Sequence, residues 1–199
     1  MIAGIILAGG AGSRFGGPKQ IAELGGRSLI EHAVAAMSAV PAIERIVVVL
    51  GAHADIVRRR ADLGGTEIVV ARDWREGIAA SLRAGIGAVT GAEAVVIALA
   101  DQPLITPQVI AAVLDGIDST RPAARATYDG EPGHPVLIKR ELFGEVATLR
   151  GDAGARDLLD RAGVATVECG HLASPHDVDT RDDLAAIGGQ MKDSAQVRG

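Results

Sequence analysis

The sequence contains a single cysteine, no excess of basic residues and no long uninterrupted apolar tract. Cys169 alone cannot form an internal disulfide, which favours a reducing compartment, so we expect a cytoplasmic protein. Spanning a bilayer takes about 20 consecutive apolar residues, and no stretch qualifies. The formal net charge of −5 argues against a dedicated nucleic-acid surface. We therefore predict neither a membrane nor a nucleic-acid partner.

The 199 residues, of which 48% are hydrophobic, are enough for one compact domain of the usual size. We predict a single domain over residues 1–189 and a flexible tail over residues 190–199, because the chain is polar from Gly188 onward. The apolar run at residues 2–6 has no preceding positive residue and ends at two glycines. This pattern predicts a core strand rather than a signal peptide.

Strand and helix patterns alternate along the first half of the chain. Apolar strand patterns occur at residues 2–6, 45–50, 67–70 and 94–99, and helical patterns follow Ser28, His53, Glu76 and Thr106. This alternation predicts an α/β fold with a doubly wound, mostly parallel sheet and helices on both faces. Ligands of such sheets bind at the carboxyl ends of the strands. Residues 124–128 and 135–138, joined through a turn, predict a small antiparallel insertion at a sheet edge.

A glycine-rich loop, LAGGAGSRFGGPKQ at residues 7–20, follows the first predicted strand. Gly9, Gly10 and Gly12 lack a Cβ, so successive backbone N–H groups can converge on an anion. Arg14 and Lys19 add positive charge, which suits the loop to a polyphosphate. An ordinary glycine-rich turn between a strand and a helix would contain similar glycines.

Two common phosphate-binding motifs fit this loop poorly. The dinucleotide fingerprint G-x-G-x-x-G fails because Phe15 takes the third glycine position, and residues 49–53 lack the expected acid for a ribose. The P-loop fails because Pro18 takes the lysine position after Gly17. Both NAD(P) binding and Walker-type ATPase chemistry are therefore disfavoured.

The loop resembles, over its whole length, the L-A-[AG]-G-x-[GS]-x-R-[FM]-G-x-x-K signature of nucleotidyltransferases. It is most similar to the molybdenum cofactor cytidylyltransferase and guanylyltransferase group. Residues 73–86 resemble the cytidylyltransferase segment D-W-x-x-G-x-x-x-S-L-x-x-G-[IL], and ADQP at residues 100–103 resembles the group's metal-binding strand end. Residues 177–183 resemble the closing motif D-[IV]-D-T-P-E-D, with Arg181 in place of the usual proline. The resemblance implies a Rossmann-like nucleotidyltransferase fold.

The resemblance also implies a nucleotide site. Its residues would be Leu7, Ala8, Gly9, Gly10, Gly12, Ser13, Arg14, Lys19, Gly77 and Ser81. Arg14 would hold the β- and γ-phosphates, Lys19 would stabilise charge around the α-phosphate, and Gly77 and Ser81 would contact the base. Arg14, Lys19 and Asp101 are the expected catalytic residues.

A magnesium site and an acceptor site follow from the same resemblance. Asp101 and Asp179 would hold Mg²⁺, which usually takes one or two carboxylates together with phosphate oxygens and water. Taken alone, Asp101 could equally cap the turn before Thr106. The expected acceptor-binding residues, in the segments GHPV and GDAGAR, are His134, Pro135, Asp152 and Arg156.

These expectations together describe Mg²⁺-dependent transfer of a nucleoside monophosphate from CTP to molybdopterin, with release of pyrophosphate. GTP is the alternative donor, because Gly10 stands where the cytidylyl group often carries Ala and the guanylyl group carries Gly. Another small phosphate or sugar phosphate is an alternative acceptor. Two other classes stay open: a molybdopterin-carrying chaperone that serves a recipient molybdoenzyme, and an NAD(P)-dependent oxidoreductase.

Overall fold

The computed structural model describes residues 1–151 and 154–196. The strands within these ranges are β1 (Ile2–Ala8), β2 (Glu23–Leu24), β3 (Arg27–Ser28), β4 (Ile43–Leu50), β5 (Glu67–Val70), β6 (Ala94–Leu99), β7 (Ala123–Tyr128), β8 (Glu131–Lys139) and β9 (Ala165–Glu168). The α-helices are α1 (Leu29–Ser38), α2 (Ala54–Arg60), α3 (Ile78–Ala88), α4 (Pro107–Asp115), α5 (Phe143–Val146), α6 (Gly154–Ala162) and α7 (Arg181–Gln196). Short 3₁₀ helices occupy Lys19–Ile21, Trp74–Glu76 and Arg140–Leu142.

Seven strands form one sheet in the order β5-β4-β1-β6-β8-β7-β9, and β2 and β3 form a separate small antiparallel pair. Only β8 runs antiparallel to its neighbours in the large sheet, β6 and β7; the other pairings are parallel. The predicted doubly wound, mostly parallel α/β fold is thereby confirmed.

The core lies on both faces of the sheet because side chains alternate along each strand. On β1, Ile6 packs on the face that α1, α2 and α4 cover, whereas Ile5 packs on the face that α3, α5 and α6 cover. Both side chains are fully buried. This two-sided burial explains why the parallel strands read as continuous apolar runs in the sequence.

The antiparallel hairpin β7–β8 differs from its prediction in position. It does not form the edge of the sheet, because β8 pairs with β6 and β9 adds a parallel strand beyond β7. The pattern of the hairpin itself is local, but β9 pairs with β7 between residues as far apart in the chain as Ala124 and Ala165, so this pairing has no local signal.

Helix α7 begins at Arg181, and its backbone continues through Gln196. The buried Ile187 and the partly buried Leu184 anchor it in a small cluster with Phe15, Leu24 and Leu29. At its start, Asp183 accepts hydrogen bonds from the main-chain N–H and the hydroxyl of Thr180, as the cap pattern predicts. None of the described helices combines the length and apolar character needed to cross a membrane.

Candidate active site

The glycine loop and Asp101 leave the sheet side by side. Leu7 at the end of β1 pairs in parallel with Leu99 at the end of β6, and the N–H of Ala100 donates to the carbonyl of Leu7 at 3.0 Å. Adjacent parallel strands therefore deliver the loop and the acid to one sheet edge, where ligands of such folds bind.

Two cations and two carboxylates meet at this edge. The Lys19 Nζ lies 2.6 Å from Asp101 Oδ2 and 2.8 Å from Asp179 Oδ1, and Arg14 Nη2 lies 2.8 Å from Asp179 Oδ2. Burial lowers the pKa of Lys19, but Asp101 and Asp179 outweigh that effect and the net pKa is raised. Lys19 is therefore fully charged at neutral pH.

The closing segment around Asp179 is held against the strand end of β6. The main-chain N–H of Val178, a fully buried residue, donates to the carbonyl of Asp101 at 2.8 Å. The Gln102 amide donates to the Pro175 carbonyl and to Asp177 Oδ1, at 3.1 and 2.9 Å. These bonds bring Asp179 to Asp101, and the sequence reasoning had assigned no such role to Gln102.

Gln20 fixes the glycine loop, a role that the sequence patterns did not predict. Only 3% of this residue is exposed, and its Nε2 donates to the carbonyls of Ala8 and Gly10 at 3.0 and 2.8 Å. The side chain thus ties the segment that carries Lys19 to the start of the loop. Its position directly after Lys19 is the only signal in the sequence that points to it.

Glycine is present at different positions of the loop for different structural reasons. Gly12 has φ +62, and a Cβ there would lie 2.1 Å from the carbonyl oxygen of Gly17. A Cβ on Gly9 would lie 2.5 Å from the Oγ of Ser81, whereas one on Gly10 would meet nothing within 4 Å. Gly12 and Gly9 are thus required by close packing, and Gly10 opens the loop toward the cleft.

The amides of the loop are available to a ligand. Gly16 and Gly17 donate to the Gly12 carbonyl and close the loop, while no N–H of residues 10–14 donates to any group of the described chain. A cleft of about 220 Å³ lies against them. Its walls are formed by Leu7, Ala8, Gly10, Gly12, Ser13, Arg14, Lys19, Gln20, Ala100, Asp101 and Asp179.

Gly77 and Ser81, the predicted base contacts, stand at the start of α3 and are not among the walls of this cleft. Gly77 occupies the N-cap position with φ 97, a conformation that favours glycine. Ser81 is 5% exposed and lies against Gly9. The structure therefore places Ser81 behind the loop and Gly77 at the start of the same helix.

A second cavity of about 450 Å³ adjoins the cleft, and Leu7 lines both. It is mainly apolar, and the predicted acceptor residues His134 and Arg156 contribute to its wall. Pro135 is buried beside His134 and does not line the cavity, and Asp152 lies outside the described residues. The cavity also contains a buried arginine that the sequence reasoning missed, Arg125.

His134 is neutral at physiological pH. Burial, assisted by the positive charge of Arg125, lowers the pKa of His134 to about 4, although Asp101 acts in the opposite direction. The imidazole can therefore donate or accept a hydrogen bond, but it offers no positive charge to an anionic ligand.

The residues of the site fit a hard divalent cation that shares its coordination with a ligand. Asp101 and Asp179 converge on one positive charge, that of Lys19. The described part of the chain contains no group of three or more His, Cys, Asp or Glu side chains arranged to hold a metal. Two carboxylates completed by phosphate oxygens and water are what Mg²⁺ commonly takes, so this donor set suits it.

Known proteins resemble this chain over most of its length. The nicotine blue oxidoreductase of Paenarthrobacter nicotinovorans is 36% identical over 196 residues, which cover 92% of this chain and 94% of that protein. The 2-C-methyl-D-erythritol 4-phosphate cytidylyltransferase of Deinococcus radiodurans is 39% identical over 128 residues, which cover 62% of this chain and 50% of that one. The crystal structure of Rv0371c of Mycobacterium tuberculosis H37Rv in complex with manganese is 31% identical, covers 93% and 96% of the two chains, and superposes with a TM-score of 0.76.

The family model described as the MobA-like NTP transferase domain matches residues 4–167. That range contains the glycine loop, Lys19 and Asp101, and extends through β7 and β8 into β9. The chain therefore belongs to the MobA-like NTP transferase domain family, and it is an enzyme of the nucleotidyltransferase type.

Proposed function

We propose that the protein transfers CMP from CTP to the phosphate of a small acceptor, molybdopterin, in a Mg²⁺-dependent reaction that releases pyrophosphate. The observation that carries this proposal is the convergence of Lys19 and Arg14 on Asp101 and Asp179 beside a loop with free amides. Cations, carboxylates and amide donors in one cleft are the groups that a metal-bound triphosphate needs.

When the nucleotide and metal bind, the two cations exchange carboxylate partners for phosphates. In the structure Lys19 contacts both Asp101 and Asp179, and Arg14 contacts Asp179. Arg14, with 73% of its side chain exposed, is free to turn from Asp179 to the β- and γ-phosphates. Lys19, with 13% exposed, stays in the cleft and stabilises charge on the α-phosphate. Asp101 and Asp179 are then available to the metal ion.

The transfer itself needs no covalent enzyme intermediate. An oxygen of the acceptor phosphate forms a bond to the α-phosphorus while the bond from that phosphorus to the bridging oxygen breaks, and the electron pair leaves with pyrophosphate. Because the acceptor phosphate is already ionised, no side chain has to remove a proton. Mg²⁺, when bound, supplies charge neutralisation on the phosphate oxygens. The chain contributes positioning and a preorganised electrostatic environment.

Two relatives support parts of this proposal. The Deinococcus radiodurans protein is named as a cytidylyltransferase of a phosphate ester, which favours CTP and a phosphorylated acceptor. The Mycobacterium tuberculosis structure contains manganese, which favours a divalent ion. Against CTP stands Gly10, because a glycine there is typical of the guanylyl group, so GTP is the alternative donor.

An oxidoreductase is the second candidate function. It is favoured by the name of the Paenarthrobacter nicotinovorans relative and by an apolar cavity of about 450 Å³, a size and chemistry that suit a flat heterocycle. The loop argues against a dinucleotide, because Phe15 takes the third glycine position of the fingerprint and is buried against Val178 and Leu24. A molybdopterin-carrying chaperone for a recipient molybdoenzyme would use the same cavity but release no pyrophosphate.

One set of assays separates these functions. The protein is incubated with Mg²⁺, each of the four NTPs and either molybdopterin or a sugar phosphate, and pyrophosphate release is measured. A parallel reaction follows oxidation of NADPH in the presence of a quinone dye. We expect pyrophosphate with CTP and molybdopterin, and none from Asp101→Asn. Oxidation of NADPH without pyrophosphate release would overturn the proposal in favour of the oxidoreductase, and molybdopterin binding without either reaction would favour the chaperone.

A further inference from the structure

Arg125 is a charged residue in the interior of the sheet. All residues of β7 are buried, and only 9% of Arg125 is exposed. Strand alternation places Ala124 and Ala126 on one face of the sheet and Arg125 on the other, in register with Val136 of β8. Since Val136 belongs to the core under α3, α5 and α6, the guanidinium lies on that face.

The described chain supplies no partner for this guanidinium. Its Nε is buried without a hydrogen-bond acceptor, and Arg125 forms no ion pair with any residue in the ranges 1–151 and 154–196. Burial lowers the pKa of Arg125; the nearby charge of Asp160 raises it and that of Arg156 lowers it. An unpaired buried charge is strongly destabilising, so the fold alone gives no reason for an arginine here.

The guanidinium lines the second cavity, at a distance from the reactive cleft. In the sheet, β7 is two strands away from β6, whose end carries Asp101, and this corresponds to roughly 10 Å at the usual strand spacing. Leu7 and Leu99 line the cavity on the side of the cleft, and His134 responds to the charges of both Asp101 and Arg125. The mainly apolar cavity thus extends from the cleft to the guanidinium of Arg125.

We propose that Arg125 is the anion anchor of this cavity: it binds an oxyanion group of a flat acceptor at a point remote from the phosphate that reacts. This inference rests on the proposed function only in calling the ligand an acceptor. The planar guanidinium lines the cavity, where its terminal N–H groups can act as a fork that matches two oxygens of one carboxylate-like group. The ligand therefore supplies a counter-charge in direct contact with Arg125, which the described part of the chain does not provide, and Arg125 discriminates anionic from neutral flat molecules.

The first test is the thermal stability of the ligand-free protein. Arg125→Met keeps the aliphatic stem and removes the unpaired charge, so we expect a higher Tm than that of the wild type. Arg121→Met is the matched control, because Arg121 is exposed and donates to the Val164 carbonyl, so its loss should leave the Tm unchanged or lower it slightly. A Tm of Arg125→Met well below that of the wild type would mean that Arg125 stabilises the fold, and would overturn the proposal.

The second test measures binding of a carboxylate and its neutral counterpart, 2-naphthoate and 2-naphthamide, by calorimetry. The wild type should prefer the carboxylate by roughly tenfold or more, the scale of one charge-assisted contact. Arg125→Met should lose this preference and still bind the amide, Arg125→Lys should retain part of it, and Arg14→Met should retain all of it. A preference that survives Arg125→Met, or that disappears in Arg14→Met, would overturn the proposal.

These tests do not depend on nucleotide transfer. If no pyrophosphate is released but the preference for the carboxylate depends on Arg125, the proposed function fails and the anion anchor stands. If transfer is observed but the preference does not depend on Arg125, the anion anchor alone fails.

Discussion

The ammonium group of Lys19 lies 2.6 Å from the carboxylate of Asp101, although 82 positions separate the two residues in the chain. Asp179, 160 positions from Lys19, contacts the same ammonium at 2.8 Å. Residues expected to bind phosphate therefore form ion pairs with residues expected to bind a metal ion. The predictions below test this arrangement and the groups that support it.

Replacing Lys19 by alanine should lower the rate of nucleotidyl transfer on the order of 10²-fold or more, the usual effect of losing one preorganised electrostatic contact. The reason is the loss of the only largely buried cation of the cleft, among the described residues. Turnover is measured as pyrophosphate release with CTP. Lys139→Ala is the control, because Lys139 donates to the carbonyl of Asp118 away from the cleft, and its rate should equal that of the wild type. Wild-type turnover in Lys19→Ala would remove Lys19 from the mechanism.

Asp179→Asn should weaken the binding of Mn²⁺ in the presence of CTP by about tenfold or more, because a neutral amide oxygen replaces one of two carboxylate ligands. Binding is followed by the electron paramagnetic resonance signal of free Mn²⁺. Asp182→Asn changes an exposed acid in the first turn of α7, the helix that follows Asp179, and should leave the affinity unchanged. Equal affinities in the two variants would contradict the assignment of Asp179.

Gln20→Leu should destabilise the protein by about 1–3 kcal/mol, the cost of leaving buried carbonyls without a donor. The affected carbonyls belong to Ala8 and Gly10, so the loop should also lose its fixed conformation and the KM for CTP should rise. Urea denaturation and steady-state kinetics measure the two effects. Gln108→Leu, on the exposed face of α4, should change neither quantity. An unchanged KM in Gln20→Leu would limit the residue to a role in stability.

The glycines at positions 10 and 12 should respond differently to alanine. Gly12→Ala places a Cβ 2.1 Å from the Gly17 carbonyl oxygen at a positive φ, so it should distort the loop and abolish CTP binding. Gly10→Ala meets no atom within 4 Å, so the fold should tolerate it, and the ratio of CTP to GTP turnover should shift toward CTP. Calorimetric binding of CTP tests Gly12→Ala, and pyrophosphate release with CTP and with GTP tests Gly10→Ala. A Gly12→Ala protein with wild-type affinity for CTP would exclude this loop as the triphosphate site.

Glu168 predicts a pH-dependent contribution to stability. It accepts hydrogen bonds from the main-chain N–H groups of Gly170, Gly130 and Asp129 and from the Thr127 hydroxyl, and these bonds lower the pKa of Glu168 from 4.5 to about 2. Because the folded state favours the ionised carboxyl, its contribution is present above pH 4.5 and is lost as the pH falls toward 2.

The corresponding variant is Glu168→Gln, whose urea midpoint should lie below that of the wild type at pH 7. The difference between the two proteins should shrink as the pH falls from 4.5 toward 2. Glu141→Gln, a change at another exposed glutamate, should follow the wild type at every pH. A difference that stays constant between pH 7 and pH 2 would contradict the role of the ionised carboxyl.

Much of the fold can be predicted from the sequence because local patterns encode it. The apolar run of β1, the capping box of Ser28 and Glu31 and the Thr180 cap all depend on residues a few positions apart. The alternation of strands and helices then restricts the sheet to a parallel, doubly wound form. That form alone places the glycine loop and Asp101 at one edge, so their proximity was predictable.

Other features depend on pairings that no local pattern records. Gln102 binds the segment of Asp177, 75 positions away, and β9 adds to β7 across α5 and α6. In the sequence Arg125 is one polar residue in a strand pattern. Its neighbours in the chain give no sign that its Nε lacks a hydrogen-bond partner in the part of the chain that the structure describes. Such features appear only when distant segments are packed together.

The sequence by itself determined the parallel sheet, the glycine loop and the acid at the end of β6, since strand and helix periodicities and strand-end positions are properties of neighbouring residues. Only the tertiary structure decided that Lys19 is held between Asp101 and Asp179, that Gln20 ties down the loop, and that Arg125 is buried without an ion-pair partner among the described residues. The physical reason is that charge pairing, hydrogen bonding and burial depend on distances in space, which chain folding sets between residues up to 160 positions apart.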